Sequence, residues 1–107
     1  MNSENRTDVK LIATSTVQTA KAARYMKALC NHFDRKATAA YEGNQGHITL
    51  SAGHCALRAE EATLFLRVEA SDEENCTRMQ NVIGKHLERF SGEDSLQVTW
   101  TIQAGNS

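Results

Sequence analysis

The stretch that most constrains the fold of this chain is residues 47–69, where apolar side chains return at every second position through three consecutive short segments. Such alternation marks strands with one buried and one open face. The segments 47–51, 54–59 and 62–69 are separated by Ala52-Gly53 and Glu60-Glu61. Both connections are short enough for tight hairpins, and hairpin length sets register. A two-residue loop at 52–53 pairs Leu50 with Cys55 and Ile48 with Leu57; one at 60–61 pairs Leu57 with Leu64 and Cys55 with Leu66. Apolar residues then meet apolar residues across all three strands, and that mutual agreement outweighs any single propensity.

Around this core the remaining elements follow. Residues 38–42 form a strand leading into the loop Gly43-Asn44-Gln45-Gly46, and residues 10–17 alternate with β-branched richness. Thr19 is placed to cap a helix running to His32 or Phe33, with Ala22, Tyr25, Met26, Leu29 and Phe33 as its apolar stripe. Ser71-x-x-Glu74 reads as a capping box opening a second helix, striped by Cys76, Met79, Ile83, Leu87 and Phe90 and ended by Ser91-Gly92. The final strand is expected at 96–102, with Leu96, Val98, Trp100 and Ile102 inward. The order is β-α-β-β-β-β-α-β. Two amphipathic helices cannot cover both faces of six strands, and the alternation leaves only one face apolar. The expected architecture is a two-layer α+β sandwich over residues 9–103, mostly antiparallel, with both helices on one side and polar tails at 1–8 and 104–107.

Composition narrows the function classes. The 107 residues include 12 basic and 13 acidic side chains, for a net charge of -1. A nucleic-acid binder usually shows a basic excess, so none is expected as a partner. No apolar run approaches the roughly 18 residues of a membrane span, and Met1 to Lys10 lacks the apolar stretch of a signal peptide. Three cysteines without framework spacing fit reduced thiols and a cytoplasmic setting.

The motifs for chemistry are sparse. In Cys30-Asn31-His32 the cysteine and histidine diverge by about 160° around a helix, and in His54-Cys55 neighbouring strand residues point to opposite faces. Cys30 and His32 cannot share an ion unless the helix ends before Cys30, His54 and Cys55 face a similar obstacle, and no metal or other cofactor is expected. Cys55 and Cys76 fall on inward faces, and Cys30 lies near a helix C-terminus, where the dipole disfavours a thiolate. Gly43-Asn44-Gln45-Gly46 joins two strands, so it lacks the helix N-terminus that cradles phosphate. Lys21, Arg24, Lys27, Arg35 and Lys36 give the first helix a basic side that reads as a solvated face. His86 falls at the edge of an apolar stripe, where a backbone partner is the ordinary outcome.

The uncovered sheet face is the most informative surface. The expected register exposes His47, Thr49, Ser51, His54, Ala56, Arg58, Thr63, Phe65 and Arg67, with Phe65 over Ala56. An outward Phe65 among His54, Arg58 and Arg67 fits a homo-oligomer formed through this face, or a small anionic ligand. The like charges of a self-pairing face would need acids such as Glu69 or Glu42 to interleave.

The run Arg24-Tyr25-Met26-Lys27-Ala28-Leu29-Cys30-Asn31-His32-Phe33-Asp34-Arg35-Lys36 resembles the first motif of a small bacterial family. So do His86-Leu87-Glu88-Arg89-Phe90 and Leu96-Gln97-Val98-Thr99-Trp100. The family is domain-of-unknown-function family 2218, and the resemblance spans about residues 11–102. It implies a stand-alone bacterial protein with a TATA-binding-protein-like fold. Similar domains are attached to siderophore-interacting, flavin-binding ferric reductases, which implies a role in siderophore-iron handling and a ferric-siderophore reductase as partner. Some members carry an aldolase label; this chain shows neither a Schiff-base lysine in a pocket nor a carboxylate–histidine metal set. Where members often have a second histidine, this chain has Arg35. His32, Lys36, His86, Glu88 and Arg89 carry over as candidate positions without assigned roles. The resulting expectation is a non-enzymatic accessory or binding domain. The alternative is a small enzyme using His32 and His86 as acid–base groups, since both lie near the ends of helices packed on one sheet.

Overall fold

A computed structural model describes residues 11–34, 38–94 and 96–104, apart from the side chains of Glu93, Gln103 and Ala104. The strands are β1 (Leu11–Gln18), β2 (Thr38–Glu42), β3 (Gln45–Leu50), β4 (Gly53–Ala59), β5 (Thr63–Ala70) and β6 (Thr101–Ala104). The helices are α1 (Ala22–Phe33) and α2 (Glu73–Ser91), the latter followed by a 3-10 turn at Gly92–Asp94. The strands form one antiparallel sheet in the order β2-β3-β4-β5-β1-β6. Helix α1 lies over β2 to β5, while α2 lies over β4, β5 and β1 and touches α1. The expected α+β sandwich, with two helices on one face of six strands, is the observed fold. No described helix is long and apolar enough to cross a membrane.

Burial explains why the helices sit where they do. Tyr25, Met26, Leu29, Cys30 and Phe33 of α1 are buried, as are Cys76, Met79, Ile83 and Leu87 of α2. They close over Ala13, Val17, Ile48, Cys55, Leu57, Leu64, Leu66 and Val68 from the sheet. Tight spots fix the approach: a Cβ on Gly46 would lie 2.9 Å from the Cys30 Sγ.

Both hairpin registers differ from the sequence expectation by two residues. Ile48 pairs with Cys55 and Leu50 with Gly53, so Ser51-Ala52 is the turn. Leu57 pairs with Leu66 and Cys55 with Val68, and the next turn is Glu61-Ala62, closed by the Glu60 N–H donating to the Thr63 carbonyl at 2.8 Å. Phe65 therefore stands opposite Arg58, and Ala56 opposite Arg67. The physical reason lies at Gly53. Its backbone is not left-handed, so the residue is not serving the turn. A Cβ there would come 2.4 Å from the Glu69 carbonyl oxygen, so the glycine is needed inside the strand for close approach. The loop at 43–46 also shortens: Gly43, at φ 61, and Asn44 make the turn, while Gln45 and Gly46 join β3.

Three ends differ as well. The side chain of Asp72, not Ser71, caps α2, accepting from the Asn75 N–H at 2.8 Å. Lys21 occupies the N-cap position of α1, and the Thr19 hydroxyl accepts the Lys21 N–H at 3.0 Å. The final strand begins at Thr101 and reaches Ala104, a residue expected in the tail. Residues 96–100 instead form an extended strap along α2. The Ser91 hydroxyl accepts the Leu96 N–H at 3.1 Å and the Glu88 carboxylate accepts the Val98 N–H at 3.0 Å. Trp100 and Val98 pack beside Gly84. Side chains of α2 thus supply acceptors that a neighbouring strand would otherwise provide. Leu96, Val98 and Trp100 are half-buried against the core, but Ile102 is 54% exposed on the outermost strand. The expectations at Lys10, Arg35 and Lys36, and those for the tails 1–8 and 105–107, lie outside the described residues.

Candidate ligand-binding face

The face of the sheet away from the helices is organised by the pairing into three cross-strand rows. One runs Glu42, Gln45, Arg58, Phe65, Thr16; the next Ala40, His47, Ala56, Arg67, Thr14; the third Thr38, Thr49, His54, Glu69, Ile12. Alternation within each strand puts all of these on the side opposite the core. In the middle row Ala56 is a small residue flanked along β4 by His54 and Arg58 and across the ladder by His47 and Arg67. The side chain missing there opens a groove of about 420 Å³. Arg58, Phe65 and Arg67 line it, with Thr14, Thr16 and Gln45 as polar neighbours.

The electrostatics are specific. The Arg58 guanidinium lies 4.3 Å from the centre of the Phe65 ring, a cation–π contact that holds Phe65 half-buried on an otherwise uncovered face. Its Nη1 also meets Glu60 at 2.8 Å, and the Arg67 Nη1 meets Glu69 at 3.2 Å. Both arginine side chains remain about half exposed, so these ion pairs hold weakly. His54 Nδ1 lies 2.8 Å from the Thr49 hydroxyl, and the His54 and His47 rings stack at 6.1 Å. His54, Arg58, Phe65 and Arg67 thus share one face, as the alternation implied. The two-residue slip changes who adjoins whom: Phe65 stacks with Arg58 instead of lying over Ala56.

The other candidates separate. His32 and His86 do meet, with ring centroids 4.6 Å apart where α1 and α2 touch. Phe33 packs edge-on against His86 at 5.0 Å, and Phe90 approaches His32 at 5.7 Å. His86 Nδ1 lies 2.7 Å from the Val82 carbonyl oxygen. A carbonyl only accepts, so Nδ1 carries the proton and a neutral His86 presents a bare Nε2. A shallow hollow of about 270 Å³ lies beside it, lined by Asn81, Val82, Lys85, His86 and Arg89. Arg89 is exposed there, while Glu88 is engaged with the Val98 backbone. Lys36 lies outside the described residues.

The thiols are poor nucleophiles where they sit. Burial pushes the Cys30 thiol above its ordinary value and Cys55 up to about 12, and Cys76 is buried too. Among the described residues no three His, Cys, Asp or Glu side chains gather as a metal-ligand set.

Sequence reasoning missed two features. The groove itself was hidden, although Ala56 as the one small residue among the outward positions 54, 56 and 58 of β4 was a usable signal. A second cluster joins α1 to the 3-10 turn: the Tyr25 hydroxyl donates to Asp94, which also pairs with Lys21 at 3.2 Å. The hydrogen bond to Asp94 raises the Tyr25 pKa, and the same bond, reinforced by Lys21, lowers that of Asp94. Sixty-nine residues separate these partners, and no local pattern could join them.

A sheet face that no other layer of the described residues covers, on a six-stranded α+β sandwich, defines the class of this protein as a small two-layer domain. The chain belongs to domain-of-unknown-function family 2218, described as uncharacterized proteins conserved in bacteria, with the match covering residues 14–101. Among solved structures it is similar to the NMR structure of PA4090 from Pseudomonas aeruginosa, at 32% identity and a TM-score of 0.73, over 85% of this chain and 95% of that one. No curated protein matches it.

Proposed function

We propose that this protein is a non-enzymatic accessory domain that binds a small anionic ligand on its open sheet face. The observation that carries the reading is the groove over Ala56, whose charged lining side chains are Arg58 and Arg67. A volume of about 420 Å³ lies within the range of small-molecule sites. We link that ligand, or the reductase handling it, to siderophore iron in the cytoplasm, and what supports the link is the resemblance of the family to domains on siderophore-interacting ferric reductases. The groove part is tested by anion titration followed through backbone amide shifts: saturable shifts at residues 56–58 and 65–67 are expected, and shifts spread evenly over the surface would remove the site. The iron part is tested separately, by growth under iron limitation with and without the gene. Equal growth and equal intracellular ferric-siderophore reduction would sever the iron connection and leave the groove standing.

The same face also suits self-association. Glu60 and Glu69 offset part of the charge of Arg58 and Arg67 within one chain, which lessens the repulsion between two copies there.

A second reading has its own observation, the contact between the His32 and His86 rings. Two imidazoles at one helix junction, one with a defined bare Nε2, could exchange a proton with a molecule in the adjoining hollow. A small molecule that copurifies with the protein and is lost in His86→Ala, but retained in Arg67→Gln, would favour this site over the groove.

A further inference from the structure

Resting on the reading of the sheet face as a ligand surface, we propose that the groove over Ala56 selects planar aromatic carboxylates from among small anions. The lining divides into two chemistries. Phe65 and Ala56 offer apolar surface, while Arg58 and Arg67 offer positive charge. A phosphate or another compact anion would use only the second. An arylcarboxylate uses both, because its ring lies against apolar surface and its carboxylate matches the planar guanidinium fork.

The stacking geometry strengthens the case. The Arg58 guanidinium already lies over the Phe65 ring, 4.3 Å from its centre. Guanidinium groups and aromatic rings attract one another, so a flat ring can join that pair. Arg67 stands diagonally from Arg58 across the β4–β5 ladder, at about the 7–8 Å typical of diagonal neighbours. A ring-plus-carboxylate ligand can therefore rest on one arginine and reach the other. Each guanidinium has five donors, and the ion pairs to Glu60 and Glu69 are made through Nη1. The lining has no helix N-terminus, and its strand backbone is engaged in the sheet ladder, so the two arginines are its charged donors for the anion.

The test is an amide-shift titration of the whole protein with four probes: 2-naphthoate, cyclohexanecarboxylate, inorganic phosphate and 2-naphthol. The expected result is saturable 2-naphthoate binding at residues 14–16, 45–46, 56–58 and 65–67, about tenfold or more tighter than the other three probes, the scale of one stacking or charged contact. Ala56→Leu fills the hollow from an exposed position and should abolish the shifts without lowering the melting temperature. Arg67→Gln should weaken 2-naphthoate by about tenfold while leaving 2-naphthol unchanged. Equal binding of phosphate or cyclohexanecarboxylate at these amides would overturn the aromatic selectivity and leave the anion site intact. Equal binding of 2-naphthol would overturn the role of charge. No saturable shift with any anion, or shifts indifferent to Ala56→Leu, would overturn both the selectivity and the groove as a ligand site.

Discussion

The two faces of β4 obey different rules. On the helix side Cys55, Leu57 and Ala59 are buried, and each position is dictated by what packs against it. On the other side His54, Ala56 and Arg58 face no second layer among the described residues, and nothing in that packing requires their identities. A buried residue is explained by the fold it stabilises. An aromatic ring beside an arginine, on a face that no second layer among the described residues covers, is the mark of a binding surface. The contrast also separates damage to the fold from damage to the site, because substitutions on opposite sides of one strand should have opposite consequences.

The largest effect is expected on the buried side. Leu87 of α2 is fully buried, so Leu87→Ala should cost about 2–5 kcal/mol in denaturant unfolding. A loss comparable to that of an exposed-face variant would break the comparison. Next comes Trp100→Ala. Trp100 is half-buried against Gly84 of α2 and is not central, so the loss should fall near or below the lower end of the ~3–5 kcal/mol seen for large aromatic truncations. An unchanged melting temperature would mean that the strap is not docked on α2. Glu88→Ala removes the acceptor of the Val98 N–H and should cost about 1 kcal/mol, whereas exposed Arg89→Ala should stay within about 0.5 kcal/mol. Equal effects would place Glu88 outside the anchoring of the strap.

The Tyr25–Asp94–Lys21 cluster sharpens the comparison through pH. The folded Asp94 pKa lies below its ordinary 3.8, so its contribution is fully present above that value and is lost as pH falls through the lower folded value. The folded Tyr25 pKa lies above 10.0, so its contribution holds below that value and is lost only as pH rises through the higher folded one. Wild type should therefore melt above Asp94→Asn at neutral pH, with the gap closing in strong acid. A gap independent of pH would show that the carboxylate charge is not what matters. A small effect on stability, within about 1 kcal/mol, is also expected for Phe65→Asp, because no second layer among the described residues covers it. It should stay folded and lose 2-naphthoate. If wild type is instead dimeric by size exclusion with light scattering and the variant monomeric, the face serves self-association. A wild type that stays monomeric at high micromolar concentration removes the dimer.

Much of this was legible in the residues. Alternation placed Cys55, Leu57, Leu64 and Leu66 inside and His54, Arg58, Phe65 and Arg67 outside. Helical spacing placed Tyr25, Met26, Leu29, Met79, Ile83 and Leu87 in the core. The meeting of His32 with His86 was anticipated from their places at helix ends, but their contact at 4.6 Å was not. Ser71 and Asp72 are both good caps, and only the backbone geometry decides between them. Residues 96–102 alternate like one strand, yet Glu88 and Ser91 offered their acceptors to the first part and left only Thr101 onward to the sheet.

Which side of each element faces the core is written in the residues, because hydrophobic periodicity is a local property and burial enforces it. Register within a face is not written there. A slip of two residues turns no side chain over, so alternation is blind to it, and the apolar pairs at 48, 55, 57, 64, 66 and 68 match nearly as well either way. Packing selects between them, through the close passage of Gly53 against the Glu69 carbonyl. That choice set Arg58 beside Phe65 and Arg67 beside Ala56, and so made the groove. The long-range contacts of Tyr25 with Asp94 and of His32 with His86 were decided at the same level, since only packing the two helices onto one sheet brings those residues together.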